Sequence, residues 1–249
     1  MLQYKTEAIV LRLREYREAD ALVTLLTKER GKVSGVAKSV YKPSSKLRGG
    51  VQPYSVNDMM LSQGRGSLHT LIQSECVEML LPIRHCFEAM ALGAYWAELL
   101  ESFGQEELPD DELYLLGKTG FMGIAVDPRP VMRLVLEMRL ISQQGIRPDF
   151  STCCKCGKGM NHDQLTCFAP ADGGFLCGDC TTAADGSVKV SKAVAGLWQG
   201  LEKMSLDKLK RVELADYQAR ELGNVLYRWL LRHTDRPLKS RAILDNMEV

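Results

Sequence analysis

Two cysteine pairs, Cys153-x-x-Cys156 and Cys177-x-x-Cys180, stand with twenty residues between them and constrain this chain more than any other feature. A Cys-x-x-Cys turn brings two thiolates within about 4 Å of each other, so two such turns supply the four soft ligands of a tetrahedral zinc site. Gly157, Gly159, Gly173, Gly174 and Gly178 let the backbone turn tightly beside the ligands. Leu165-Thr166-Cys167-Phe168 is short and apolar, suited to one strand of a small ribbon. Four thiolates leave no open coordination position, so Zn2+ here is expected to be structural and not catalytic. Cys154 competes with Cys153 for the place of first ligand, and only spacing favours Cys153.

The remaining cysteines say less. Cys76 and Cys86 are isolated among apolar residues and are expected to pack as small hydrophobes, and Cys167 to lie inside the ribbon. The chain opens Met-Leu-Gln-Tyr-Lys without a signal-peptide pattern, and no apolar run approaches the ~20 residues that span a membrane. A reducing cytosol is the expectation, and there such spacing points to metal and not to disulfides.

With 249 residues and 45% apolar content, the chain can bury a sizeable core. Its formal charge is only +1, but residues 1–48 hold eleven Lys or Arg against five acids, a net +6 that leaves −5 for the rest. A basic first third on an otherwise acidic chain is the footprint of a polyanion-binding face. A solvated surface carries the same charge, so charge alone does not decide between them.

Residues 6–13, 21–27 and 32–37 read as strands, with Ile9 and Leu11 blurring the alternation of the first. Ser39 to Gly50 is polar and reads as an exposed loop. Residues 54–61 and 67–77 make a second hairpin around Gln63-Gly64-Arg65-Gly66. Five short strands in eighty residues indicate a small antiparallel barrel. After Pro82 the apolar period becomes helical through Phe103. Glu106 to Glu112 reads as a solvated acidic connector. Leu113 to Ile124 reads as a helix weakened by Gly117, Gly120 and Gly123, and Val131 to Ile141 as a stronger one. Ser191 is placed to cap a helix carrying Val194, Leu197, Trp198 and Leu201, and a last helix spans Asp216 to His233. The expected fold is α+β, with a five-stranded barrel over 1–80, a helical domain over 81–249 and the cysteine module at about 150–183 within it.

Enzyme signatures are missing. His162 is followed by Asp163 and Gln164, and neither cysteine pair follows a proline, so the zinc-deaminase pattern is absent. Leu116-Gly117-Lys118-Thr119 lacks the upstream glycine of a phosphate-binding loop. The expectation is a protein that is not an enzyme. A zinc-dependent nucleic-acid-processing enzyme and a protein-binding adaptor are the competing readings; the basic stretch from Lys32 to Arg48 argues against a pure adaptor.

Several stretches together resemble the bacterial recombination mediator RecO family. They are Glu18-Ala19-Asp20, Leu25-Leu26-Thr27, the run from Gly31 to Lys38, Pro43-Ser44-Ser45-Lys46-Leu47, Val51-Gln52-Pro53-Tyr54 and the tail Arg236-Pro237-Leu238-Lys239-Ser240. Each is weakly specific, but their order over essentially the full length is not. The resemblance implies an oligonucleotide/oligosaccharide-binding (OB) barrel and a helical domain with a zinc ribbon held by Cys153, Cys156, Cys177 and Cys180. It implies binding of single- and double-stranded DNA and annealing of complementary strands. The implied partners are RecR, sometimes RecF, the acidic tail of single-strand-binding protein and, indirectly, RecA, all in the bacterial cytoplasm at the nucleoid. In such a barrel Arg12, Arg14, Lys32, Lys38, Lys42, Lys46 and Arg48 are candidate phosphate contacts, and Tyr41 or Tyr54 candidate stacking groups.

Overall fold

A computed structural model describes residues 2–64, 66–161, 164–183 and 186–247. The expected hairpin tip at Arg65, and His162 with Asp163, lie outside these residues.

The first strands wrap into a barrel because their inward side chains are small and apolar. The strands are β1 (Leu2–Tyr16), β2 (Asp20–Thr27), β3 (Gly31–Ala37), β4 (Val56–Gln63) and β5 (His69–Glu78). Their hydrogen-bonded order is β1-β2-β3-β5-β4, and β4 pairs back onto β1, closing the ring. All pairings are antiparallel except that of β3 with β5. This is the strand order of an OB-type barrel. β1 serves two partners, β4 along its first half and β2 along its second, and a register shift between Val10 and Arg12 bends it. Ala8, Val10, Ala21, Val23, Leu25, Val33, Met59, Leu61 and Leu71 fill the interior.

Ile9, Leu11 and Leu26 are also buried, although they point away from that interior. The outer face of β1 and β2 is covered by helices, which is why the sequence alternation is blurred there. These are α2 (Phe87–Phe103) and α3 (Asp111–Val126), preceded by the single turn α1 (Pro82–His85). A Cβ on Gly117 would stand 3.1–3.4 Å from Leu100, Leu26 and Ile9, so the missing side chain lets α3 settle against α2 and the barrel. A glycine costs a helix about 1 kcal/mol, whereas a fully buried Leu or Ile contributes about 1.5–3 kcal/mol, and burial wins. Asp110 caps α3 by accepting from the Leu113 N–H at 2.8 Å.

The acidic connector before α3 is not simply solvated, as its composition suggests. Lys32 on β3 donates its N–H to Gln105 O at 3.1 Å and accepts from the Glu107 N–H at 2.9 Å. The connector thus satisfies backbone groups at an end of β3 that β5 does not reach. Gly31 has φ +63°, and a Cβ there would lie 2.6 Å from the Leu108 carbonyl carbon. The chain's last helix, α7 (Arg241–Met247), packs on α2, and Glu98 accepts from the N–H groups of Lys239 and Ser240 at 3.0 and 2.8 Å.

Helix α4 (Pro130–Gln143) leads a second compact unit, completed by α5 (Ala193–Glu202) and α6 (Asp216–His233). Arg133 and Glu137, one turn apart on α4, form an ion pair of 3.3 Å at 2% and 0% exposure. Gly223 of α6 makes room for that guanidinium, since a Cβ would approach it to 2.9 Å. A small sheet of β6 (Cys167–Ala169), β7 (Gly174–Leu176) and β8 (Val188–Lys189), in the order β7-β6-β8, is inserted between α4 and α5. Its aromatic groups join the helical core: Phe150 stacks on Phe175 at 4.8 Å and meets Trp198 at 5.3 Å, and Phe168 meets Trp229 at 5.6 Å.

Compactness divides the chain into residues 1–128 with 238–249, and 129–237. The break expected near residue 80 follows the change from strand to helix; the spatial grouping differs because α2, α3 and α7 share a core with the barrel. Ser191 does not cap α5. Its hydroxyl donates to Glu221 of α6 at 2.6 Å, and Lys192 occupies the cap position. Cys76 is exposed, because the end of β5 turns its residues outward, and is not the packed hydrophobe its neighbours suggest.

Candidate metal centre and nucleic-acid interface

Two backbone turns assemble the metal centre. In the first, the Gly157 N–H donates to Cys153 O at 2.9 Å and Gly157 takes φ +71°. In the second, entered directly from β7, the Cys180 N–H donates to Cys177 O at 3.1 Å. The sulfurs of Cys153, Cys156, Cys177 and Cys180 all lie within 4.8 Å of one another, with Cys156 and Cys177 at 3.9 Å. Metal–sulfur bonds of about 2.3 Å in a tetrahedron require sulfurs about 3.8 Å apart, so this quartet fits a thiophilic dication.

Its electrostatics agree. Burial pushes the Cys153 thiol up, but the backbone N–H groups of Cys177, Cys156 and Lys155 outweigh it and hold the group down to about 6. Hydrogen bonding to the Cys156 side chain, with burial, pushes the Cys180 thiol up to about 12. Four thiolates this close repel one another, and a cation among them offsets that repulsion. Cys153 and Cys177 are buried, Cys180 half-buried and Cys156 exposed. Cys154 stands outside the quartet: its N–H donates to Phe175 O at 2.9 Å and its Cβ faces Gly174. The group of neighbouring sulfurs therefore includes Cys153 and not Cys154.

The basic loop is held to the barrel by its own backbone. Ser39 donates its N–H to Asp20 Oδ1 at 2.7 Å, and Tyr41 donates its N–H to Ala19 O at 3.1 Å. Val40 and Val51 point into the barrel core, and Ser74 Oγ donates to Gly50 O at 2.9 Å. The loop read as merely exposed is anchored at both ends, while its charged side chains stay in solvent. Arg14, Lys38, Lys42, Lys46 and Arg48 are all exposed at this end of the barrel, and none makes an ion pair among the described residues. Tyr41 is exposed beside them.

The other two candidates are placed differently. Arg12 pairs with Glu101 of α2 at 2.7 Å. Lys32 donates to Glu101 O at 2.9 Å and lies 4.0 Å from Glu106. Both groups thus have protein partners that tie the barrel to the helices, which sets them apart from the five solvent-facing cations. Tyr54 is likewise no stacking platform: its ring already stacks on Phe121 at 5.3 Å. Sequence reasoning missed Arg17 as an individual candidate. It is exposed in the β1–β2 turn with φ +57°, and its guanidinium lies over the Tyr16 ring at 5.0 Å. Its place within Arg14 to Asp20, at a strand-to-strand turn facing the loop, is the signal that marks it.

Comparison with known proteins bears on what such an arrangement serves. Residues 1–80 match the family model described as Recombination protein O N terminal, and residues 84–242 match Recombination protein O C terminal. The chain is 31% identical over 244 residues to the DNA repair protein RecO of Desulforamulus reducens, covering 98% of this chain and 94% of that one. It is 32% identical over 249 residues to the DNA repair protein RecO of Desulforudis audaxviator, covering 100% and 99%. The protein of the same name from Symbiobacterium thermophilum is 32% identical over 251 residues, with 99% and 98% covered.

Proposed function

The chain belongs to the recombination protein O family, and on that premise we propose that it is a non-enzymatic mediator of DNA repair that binds DNA through the basic end of its barrel and anneals complementary strands. The observation that carries this reading is the set of unpaired cations Arg14, Arg17, Lys38, Lys42, Lys46 and Arg48 on a backbone anchored to the barrel. Annealing needs no covalent chemistry. A cationic surface lowers the repulsion between two phosphate backbones and raises local strand concentration, while base pairing supplies the driving force and the sequence specificity. Both single- and double-stranded DNA are ligands, because the groups involved read phosphate and not base edges. Tyr41, exposed beside these cations, is the group proposed to stack on an unpaired base.

Zn2+ on Cys153, Cys156, Cys177 and Cys180 cross-links the two turns of the ribbon and takes no part in DNA chemistry. The protein works with RecR, and in some settings RecF, on DNA covered by single-strand-binding protein. It engages the acidic tail of that protein and helps load RecA. No helix of the described residues is long and apolar enough to cross a membrane, and a repair role places the protein in the bacterial cytoplasm at the nucleoid. Titration of a labelled single strand at increasing salt tests the reading. Log affinity is expected to fall linearly with log salt, largely independent of sequence; affinity flat in salt, or confined to one sequence, overturns it.

A further inference from the structure

The second unit carries its own basic surface, in the segment joining α5 to α6. Lys203, Lys208, Lys210 and Arg211 are all exposed there. None makes an ion pair among the described residues; Asp207 and Glu213 are the acids in the same stretch. The nearby Glu202 is already taken by Arg147 at 3.2 Å. On a chain whose remainder beyond residue 48 is net acidic, such a cluster is a local feature and not bulk charge.

The backbone beneath it is fixed. Residues Leu206–Arg211 form a 3-10 turn with Leu209 fully buried at its centre. Two arginines, one at the start of α4 and one within it, bond the segment's carbonyls. Arg129 donates to Leu209 O at 3.1 Å and to Val212 O at 3.2 Å, and Arg139 donates to Met204 O. Near three residues per turn, Lys208 and Arg211 fall on one side while Leu209 points inward. Backbone carbonyls of the turn are thus held by two guanidinium groups, while its outward side chains are cationic. A loop needed only for connection has no use for this arrangement, whereas a phosphate-binding surface needs unpaired cations on a rigid frame.

We propose that Lys203, Lys208, Lys210 and Arg211 form a second nucleic-acid-binding surface, contacting the phosphate backbone of the second strand during annealing. This rests on the annealing reading above and assigns each strand its own unit: the barrel holds one and the α5–α6 turn receives the other.

The test compares the wild-type chain with a Lys208→Gln, Lys210→Gln, Arg211→Gln variant in two assays: binding of one short labelled strand, and annealing of that bound strand with its bare complement. Zinc content and unfolding midpoint confirm that the variant folds. The variant is expected to bind the first strand like wild type but to anneal more slowly. Losing three phosphate contacts at ~0.7 each removes ~2 from the log–log salt slope of the annealing rate, so the wild-type advantage shrinks about 20-fold between 50 and 200 mM salt. A Lys208→Arg, Lys210→Arg variant should anneal like wild type. Annealing of bare strands at wild-type rate and salt dependence would overturn the proposal and leave the turn to an acidic protein partner. Loss of first-strand affinity equal to that from the barrel loop would overturn it too, in favour of one continuous site. If wild type itself failed to bind or anneal DNA, the annealing reading would fall first and this inference with it.

Discussion

Replacing Lys42, Lys46 and Arg48 together by glutamine separates the loop's role from that of the barrel's other cations. All three are exposed and make no ion pair, so their removal leaves the fold nearly untouched, within about 0.5 kcal/mol for surface changes of this kind. Each phosphate contact on single-stranded DNA contributes about 0.7 to the slope of log affinity against log salt, so three lost contacts lower the slope by about 2. The control is Arg12→Gln with Lys32→Gln, the pair already engaged by Glu101 and the 105–107 connector. That variant is expected to keep the wild-type slope, with a stability loss of about 1 kcal/mol or less for such partly exposed pairs. Fluorescence anisotropy with a labelled mixed-sequence strand, at four or more salt concentrations, reads both slopes. An unchanged slope in the loop variant, or an equal drop in the control, would refute the division of the seven cations drawn from the structure.

Gly31→Ala should destabilise the barrel unit by about 2–4 kcal/mol, combining the αL penalty with overlap against the Leu108 carbonyl; Gly49→Ala, whose Cβ meets nothing within 4 Å, should be nearly neutral. Denaturation followed through the buried Trp96 checks this, and a Gly31→Ala loss under about 1 kcal/mol would mean that the connector does not lie on β3. Cys177→Ser with Cys180→Ser should abolish stoichiometric zinc and loosen the ribbon, while first-strand affinity stays close to wild type; normal zinc content would undo the ligand assignment. Glu7 is raised by burial but more strongly lowered by bonds from Lys118 at 2.9 Å and Tyr114 at 2.8 Å, so its carboxyl lies below the ordinary value. Its stabilisation is therefore complete above the unfolded carboxylate range and lost as pH falls through the folded value. Glu7→Gln should be less stable at neutral pH, with the gap closing on acidification; a gap constant down to about pH 3 would contradict the pairing.

The cysteine quartet was legible because Cys-x-x-Cys spacing is a local constraint: two residues of turn geometry suffice to place the sulfurs of each pair. Spacing alone favoured Cys153 over Cys154, whereas the bond from the Cys154 N–H to Phe175 O is a long-range contact that no local pattern encodes. β1 shows a similar limit. Ile9 and Leu11 broke the alternation because α2 and α3 cover the outside of the barrel, and a period-2 pattern detects one buried face, not two. Gly117 read as a weakness in α3 when it is a point of close approach to α2 and the barrel. The cations illustrate the same division most sharply. Composition found all seven, but whether an acid already answers a charge depends on Glu101 for Arg12 and Glu106 for Lys32, which stand some seventy to ninety residues away in sequence. Arg17 went unnoticed as an individual candidate for the complementary reason: its neighbours Glu15, Glu18 and Asp20 cancel it in a charge count.

Annealing of two complementary strands, each coated beforehand with single-strand-binding protein whose acidic tail is intact or removed, tests the central claim most directly. No nucleotide is added. Acceleration that depends on the tail and weakens with salt is the predicted result. Absence of acceleration by zinc-loaded, normally folded protein would contradict the account, and equal acceleration without the tail would retain the basic barrel while removing the partner.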